Sequence, residues 1–274
     1  LSELDDPIAK LVLEYRHANK LLTTYIDPWR GEDRAFTHFR IDLSTGRLAS
    51  FNRNLQNIPP DMRKVFSPDS GMFSYMDYSQ IEMRILAHMS NDPVMLDAYK
   101  LGVDIHALTQ LELWPGSDIK DEAKRLVAKT FNFAMAYEAD SHTLAKHTKL
   151  PERTCYEFRQ RWLNLYRKVW EYMEDRMRDP CEYAVTDFGR RMSLPSLDTS
   201  PQSHINKCKI NYVIQGAAAD IIKRALIIVR DYDLRLSVHD EILSDGDCDW
   251  PSSLDNIHPS IYTPFNVYKD IKWR

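Results

Sequence analysis

Two aspartates stand where carboxylates can gather a divalent cation. Asp77 follows the apolar run MFSYM at 72–76, and Asp240 sits inside LRLSVHDEIL at 234–243, an alternating stretch with a polar middle. Strand ends of this kind can converge within one sheet. Two carboxylates and a backbone carbonyl then suffice for Mg²⁺, a hard ion that prefers oxygen, keeps several waters and completes its octahedron with substrate phosphates. Ordinary surface turns use aspartate as well, so spacing alone leaves both readings open. A second pattern is more telling. Arg125, Lys129, Phe133 and Tyr137 recur every fourth residue in a stretch with helical periodicity, 119–138, so they form a stripe that drifts slowly around the helix. One end of the stripe is cationic and the other aromatic, the layout of a nucleoside triphosphate, whose phosphates attract Arg and Lys and whose base stacks on a ring. A helix with solvated basic residues and two core aromatics would show the same letters. His106, on a neighbouring helix, can add a donor to the cationic end.

The elements that must position these side chains are legible in the hydrophobic pattern. Residues 7–25 place Ile8, Leu11, Val12, Tyr15 and Leu22 at helical spacing, which predicts a helix with one buried stripe, ended by Asp27-Pro28. Residues 35–50 read as a hairpin with a Ser-Thr-Gly turn, and NLQNIPP as a loop. The strand 72–76 delivers Asp77 to its end, and 79–89 turns helical with Ile81, Ile85 and His88 on one side. From Asp92 to Pro195 the pattern is almost wholly helical: 93–101, 104–113, 118–138, 141–148 and one long stretch at 151–178. A further helix spans 203–230, then comes the hairpin 234–243 with His239, Asp240 and Glu241 at its tip. An acidic loop-like tail, 244–262, leads to a last strand at 265–273.

Composition bounds the class. With 274 residues, 43% hydrophobic and 28% charged, and a mean hydropathy of -0.48, the chain can bury a real core. It has no apolar run near the roughly 20 residues of a membrane span. The four cysteines are far apart without a CxxC pair, which suggests reduced structural thiols rather than a zinc knuckle or disulfide framework. A net charge of -4 argues against gripping nucleic acid over the whole surface and leaves room for a local basic path. The opening LSELDDPIAK lacks an initiator Met and any charged segment leading into an apolar one, so a fragment or processed product of intracellular location, without an export signal, is expected.

In order and context, DYSQIEMR at 77–84, RLVAKTFNFAMAY at 125–137 and VHDE at 238–241 resemble motifs A, B and C of family A DNA polymerases, the DNA polymerase I type. TGRLAS with NLQNIP at 45–59, DIHALT at 104–109, FGRRMSLP at 188–195 and NYVIQGAAADI at 211–221 are similar to that family too, so the resemblance runs over residues 1–243. It implies an α+β right-hand fold, with an antiparallel palm sheet and an inserted helical fingers subdomain. The division it implies is a thumb-proximal helix at 1–26, palm at 27–82, fingers at 83–198 and palm again at 199–274, the thumb being largely absent. The implied activity is template-directed addition of dNTPs to a primer 3′-hydroxyl with two Mg²⁺ ions, for which Mn²⁺ can substitute, in DNA replication or repair. The implied partners are primer-template DNA and dNTPs, with no membrane; a processivity factor and the missing thumb or exonuclease domains are left open.

Residue by residue, the resemblance implies that Asp77, Asp240 and the Tyr78 carbonyl hold the metals. His106, Arg125 and Lys129 hold the triphosphate, Lys129 also serving in catalysis. Phe133 stacks near the incoming sugar and base, Gln80 lies in the nucleotide site, and Tyr137 sits at the templating position. Glu82 matches the steric gate against a 2′-hydroxyl. Arg47, Asn54, Gln56, Asn211 and Gln215 match contacts to primer and template, with His239 near the primer end and Glu241 an acidic position beside it. The match departs from the family at Glu138 and Ala134, where Gly is usual, and at Lys207, where Arg is usual; the segment after Glu241 is also short. A non-catalytic or weakly active DNA-binding remnant is the alternative. A phage-type RNA polymerase is disfavoured by Glu82, and a ribonuclease-H-like nuclease leaves the cationic-aromatic helix unexplained.

Overall fold

Aspartates punctuate the helical part of the chain. In the computed structural model, which describes residues 6–273, Asp6 caps α1 (Pro7–Leu21), and its carboxylate accepts from the Ile8 N–H at 2.8 Å. An antiparallel hairpin of β1 (His38–Arg40) and β2 (Ala49–Phe51) follows, then the single turn α2 (Pro60–Arg63) and the strand β3 (Phe73–Tyr78). Next comes α3 (Ile81–Ser90). Asp92, Asp104, Asp121 and Asp140 then cap α4 (Pro93–Lys100), α5 (Ile105–Leu113), α6 (Glu122–Ala136) and α7 (Ser141–Thr148), each side chain taking a backbone N–H of the first turn. The insertion continues through α8 (Glu152–Leu165) and α9 (Arg167–Arg178) to the small hairpin β4 (Tyr183–Val185) and β5 (Arg191–Ser193). A long helix, α10 (Gln202–Ile228), leads back to β6 (Leu234–Val238), β7 (Glu241–Asp245) and finally β8 (Phe265–Asp270).

The sheet that positions the site has the order β6-β7-β3-β8, antiparallel throughout. β3 lies inside it and is covered on both faces. Met76 and Tyr78 join the larger core under the helices. Phe73 and Tyr75 join a second core with Leu55, Ile58, Leu236, Leu243 and Trp273. That double burial explains why the run before Asp77 is apolar rather than alternating. Among the described residues no helix is long and apolar enough to cross a membrane, and the four cysteines are free.

Four expectations need correction. The apolar stripe of α1 is not buried: Ile8, Leu11 and Tyr15 are 70%, 63% and 70% exposed, and only Ala9 of that helix is buried. Periodicity shows that a helix has an apolar face, not that anything packs on it. Residues 1–5 of the expected 1–26 segment lie outside the described residues. The stretch 151–178 is two helices, because Tyr166 leaves helical geometry at φ -107° and ψ 59°. Its ring packs on Trp162, centroids 5.0 Å apart, and its hydroxyl lies 2.8 Å from that of Thr109. The helical pattern also fails at 183–193, where Gly189 at φ +82° closes the β4–β5 hairpin. Tyr137 falls just past the end of α6, as its C-cap, so the fourfold stripe ends outside the helix.

Candidate active site

The pairing of β3 with β7 sets Asp77 directly across from Glu241, and the Tyr78 N–H donates to the Asp240 carbonyl at 3.2 Å. The tight connection between β6 and β7 consists of His239 and Asp240. His239 adopts φ 54°, a left-handed conformation that costs a non-glycine residue on the order of 1 kcal/mol, and its side chain is exposed. Three carboxyls thus share one end of the sheet, and each is held above its ordinary range. Asp77 is pushed up to about 7, first by burial and then by the negative charges of Asp240 and Glu241, while Lys129 pulls it back. Asp240 is raised by burial and by Glu82, against its own backbone N–H, His239 and Arg47. Glu241 is raised by burial and by Asp240, against the Trp273 indole and Arg63. Crowded carboxyls with few compensating cations form a donor set of hard oxygens that fits a divalent cation. Asp77 and Asp240 belong to that set, and Tyr78 follows Asp77 at the end of β3.

Lys129 therefore brings the cationic face of α6 to the carboxylates. One turn back, the Arg125 Nε donates to Asp104 at 2.7 Å. Burial would raise the Asp104 carboxyl, but the His106 N–H and Arg125 hold it below its usual range. His106 itself is buried, with Phe133 beside it at 5.8 Å between ring centroids. Burial pushes its imidazole down to about 4, against the pull of Asp104 and with help from Lys129 and Arg125.

Glu82 is clamped from two directions: Arg47 of the turn before β2 pairs with it, and the Tyr137 hydroxyl donates to its other oxygen. Gln215 contacts that hydroxyl and also donates to Asn211 at 3.3 Å. Gln80, the left-handed residue before α3 at φ 55°, accepts from the Tyr99 hydroxyl at 3.1 Å. Gln56 is used as a strut. Its oxygen accepts from the Ser50 N–H at 2.9 Å and its amide donates to the Ser237 carbonyl at 2.8 Å. Asn54 is exposed. Arg47, Gln56, Glu82, Ser237, His239 and Asp240 line one cleft.

Another knot of ligand-type groups lies where α3, the β4–β5 turn and the loop before β8 meet. His88, Asp187 and His258 bring their ligand atoms within 4.8 Å of one another, a spacing that a metal ion could bridge. Nitrogen donors suit a transition metal better than Mg²⁺. Asp187 Oδ2 lies 3.1 Å from His88 Nε2 and 3.3 Å from His258 Nε2. The Nδ1 of His258 accepts from the N–H groups of Ser260 and Ile261, each at 3.1 Å, so its proton is on the nitrogen facing Asp187. The sequence pattern gave no reason to join these residues. It also passed over Asn132, which is fully buried and bonded to His106, Thr109 and Trp162. An amide among the apolar residues Ala128, Phe131 and Met135 of the buried face of α6 is the one local signal for it.

A family model described as DNA polymerase family A matches residues 1–254. DNA polymerase I of Caldicellulosiruptor bescii is 36% identical over an alignment covering 89% of this chain and 32% of that protein. The thermostable DNA polymerase I of Thermus aquaticus is 32% identical over 86% of this chain and 32% of its own length. The chain thus spans about a third of the length of these curated relatives. Among solved structures, the POL domain of Pol1 from M. smegmatis, in complex with DNA primer-template and dNTP, superposes with a TM-score of 0.87 at 28% identity. That match covers 97% of this chain and 53% of the other, so the right-hand polymerase fold is shared.

Proposed function

This chain belongs to DNA polymerase family A, and from that premise we propose that it extends a DNA primer along a template, joining dNTPs to the 3′-hydroxyl and releasing pyrophosphate. The observation that carries the proposal is the meeting of Asp77, Asp240 and Glu241 at one end of the sheet, with Lys129 of α6 facing Asp77. We assign 27–82 and 199–274 to the palm, 83–198 to the fingers, and the helix within 1–26 to the thumb junction.

Asp77, Asp240 and the Tyr78 carbonyl would hold two Mg²⁺ ions, for which Mn²⁺ can stand in. When bound, these ions supply a lowered pKa at the primer hydroxyl and stabilisation of the leaving pyrophosphate. The chain's own residues bind and orient. Arg125, Lys129 and His106 offer donors to the triphosphate, and Lys129 also neutralises charge that develops on the phosphates and can return a proton to the leaving group. Phe133, beside His106, offers its ring to the sugar and base, with Gln80 in the same pocket. Glu82, fixed by Arg47 and Tyr137, excludes a ribose 2′-hydroxyl by volume. Because Arg47 and Gln56 are engaged within the chain, their part in duplex binding is to shape the cleft wall or to exchange partners when DNA enters. Asn54, Asn211 and His239 are the donors left to meet primer and template, and Gln215 joins them by exchanging its bond to Asn211; minor-groove acceptors common to all base pairs report geometry rather than sequence. Tyr137 takes the templating position and Glu241 flanks the metals.

Primer extension with dNTPs or NTPs, with and without Mg²⁺, tests the reading. Template-dependent extension with dNTPs and Mg²⁺ is expected. No extension under any of these conditions, from folded protein that binds primer-template, would favour the remnant.

A further inference from the structure

We propose that Asn132 is a positioning residue that holds His106 as a neutral imidazole with its proton on Nε2, leaving that N–H to donate to the triphosphate of the incoming nucleotide. The inference rests on the triphosphate role proposed above for His106, and goes beyond it by fixing the tautomer and naming the group that fixes it.

Trp162 fixes the orientation of the Asn132 amide. An indole nitrogen can only donate. Trp162 Nε1 lies 2.7 Å from Asn132 Oδ1, so that atom has to be the amide oxygen, and the Thr109 hydroxyl approaches the same oxygen at 2.9 Å. The orientation of the amide is thereby settled, and its NH₂ group faces the other way. Asn132 Nδ2 lies 2.9 Å from His106 Nδ1 and 3.5 Å from the Ile105 carbonyl. An amide nitrogen donates, so His106 Nδ1 must accept and carries no proton. A neutral ring then has its proton on Nε2. Protonating the ring would set the Nδ1–H against the amide N–H, two donors in a site where Asn132, Thr109 and Trp162 are all buried.

The surroundings agree. The charged groups that act on His106 are Asp104 of its own helix cap and Arg125 and Lys129 of α6, and burial outweighs Asp104 in holding the ring neutral. Tyr166 extends the network beyond Thr109, its hydroxyl 2.8 Å from Thr109 Oγ1. The amide is thus anchored by α5, α8 and the α8–α9 break, while the next residue along α6, Phe133, stands against the His106 ring. A ring held this way stays a donor across the working pH range and adds no charge that would titrate with the medium.

The test has a spectroscopic arm and a kinetic arm. In the ¹⁵N-labelled chain, with His106 assigned by comparison with His106→Gln, two-bond ¹H–¹⁵N spectra should show the Nε2–H tautomer, with no titration between about pH 5.5 and about 8. A wild-type ring that carries its proton on Nδ1, or titrates in that range, overturns the proposal without any variant. Asn132→Asp keeps the size and leaves Trp162, Thr109 and His106 as donors to the new carboxylate, so the ring should gain an Nδ1 proton and titrate near neutrality. The ratio of its dNTP KM to that of wild type should then rise at least about threefold from about pH 6.5 to about 8.5, as the extra charge on His106 is lost. The double variant with His106→Gln should show no such rise, and a rise that persists there overturns the link. If the tautomer is as stated but His106→Gln leaves the dNTP KM within about twofold of wild type, the proposal falls with the reading it rests on. The spectra then show that the nucleotide contact failed, not the tautomer.

Discussion

The carboxyls at the sheet end and the His88–Asp187–His258 knot both gather titratable side chains, and they are built on opposite principles. At the sheet end burial is the largest cause raising Asp77, Asp240 and Glu241, and neighbouring carboxylates add to it: Asp240 and Glu241 on Asp77, Glu82 on Asp240, and Asp240 on Glu241. In the knot one carboxylate is shared by two imidazoles, and His258 is further satisfied by two backbone N–H groups. The first cluster is under-compensated and is relieved by an added cation. The second is close to balanced within the chain and ties three segments together. A perturbed, unbalanced group marks a working site far better than a mere gathering of ligand types does.

The largest expected effect tests the unbalanced side. Asp240→Asn removes, at nearly constant volume, the carboxylate proposed as a metal ligand and should slow primer extension by at least about a thousandfold, several kcal/mol of transition-state stabilisation. Primer-template affinity should stay within about threefold. A normal rate would place the metals elsewhere.

Next is the response to pH and metal. Asp77 has a folded pKa of about 7, above its unfolded value of about 3.9. Its contribution favours the fold at low pH and is lost as pH rises through about 4 to about 7. Metal-free protein should therefore lose stability over that window, Mg²⁺ should restore it as a rise of a few degrees in Tm at pH 8, and Asp240→Asn should shrink the restoration. Equal Mg²⁺ shifts in wild type and Asp240→Asn would break the contrast.

The balanced knot should behave in the reverse way. The His258 imidazole is held below its ordinary range, first by burial, with His88 and Arg224 adding to the effect and Asp187 opposing it. A His whose folded pKa is lowered contributes stability above its unfolded pKa, lost as pH falls below about 6.5. Asp187→Asn should cost about 1–3 kcal/mol in denaturant unfolding and steepen that loss on acidification, with the extension rate within about threefold of wild type. A collapse in extension with no loss of stability would make the knot part of the site.

The smallest effect concerns Glu138, a carboxylate near Lys207 and Arg159 that sits at φ 55°. Its conformation is one that glycine adopts without cost, which accounts for the Gly usual there. Glu138→Gly should raise stability by about 1 kcal/mol or less, because relief of the left-handed strain is partly offset by a looser unfolded chain and the lost attraction to Lys207 and Arg159. A clear loss of stability would mean that the attraction to Lys207 and Arg159 outweighs the strain.

Spacing within the sequence was enough to place Asp77 and Asp240 at strand ends, and Arg125, Lys129 and Phe133 along one helix. Each depends on a few consecutive residues and on the periods of helix and strand. It misjudged α1, since an apolar face does not reveal whether a partner covers it, and it ran α8 and α9 together, since neither Pro nor Gly marks Tyr166. What only the tertiary structure decided is who meets whom: Arg47 and Tyr137 on Glu82, Gln56 spent between Ser50 and Ser237, His88 and His258 on Asp187, and Trp162 fixing Asn132 against His106. These partners lie on separate elements, and which donor reaches which acceptor depends on how several helices and strands pack at once. Local sequence encodes the groups; the packed chain chooses their partners and, through burial and neighbouring charge, their protonation.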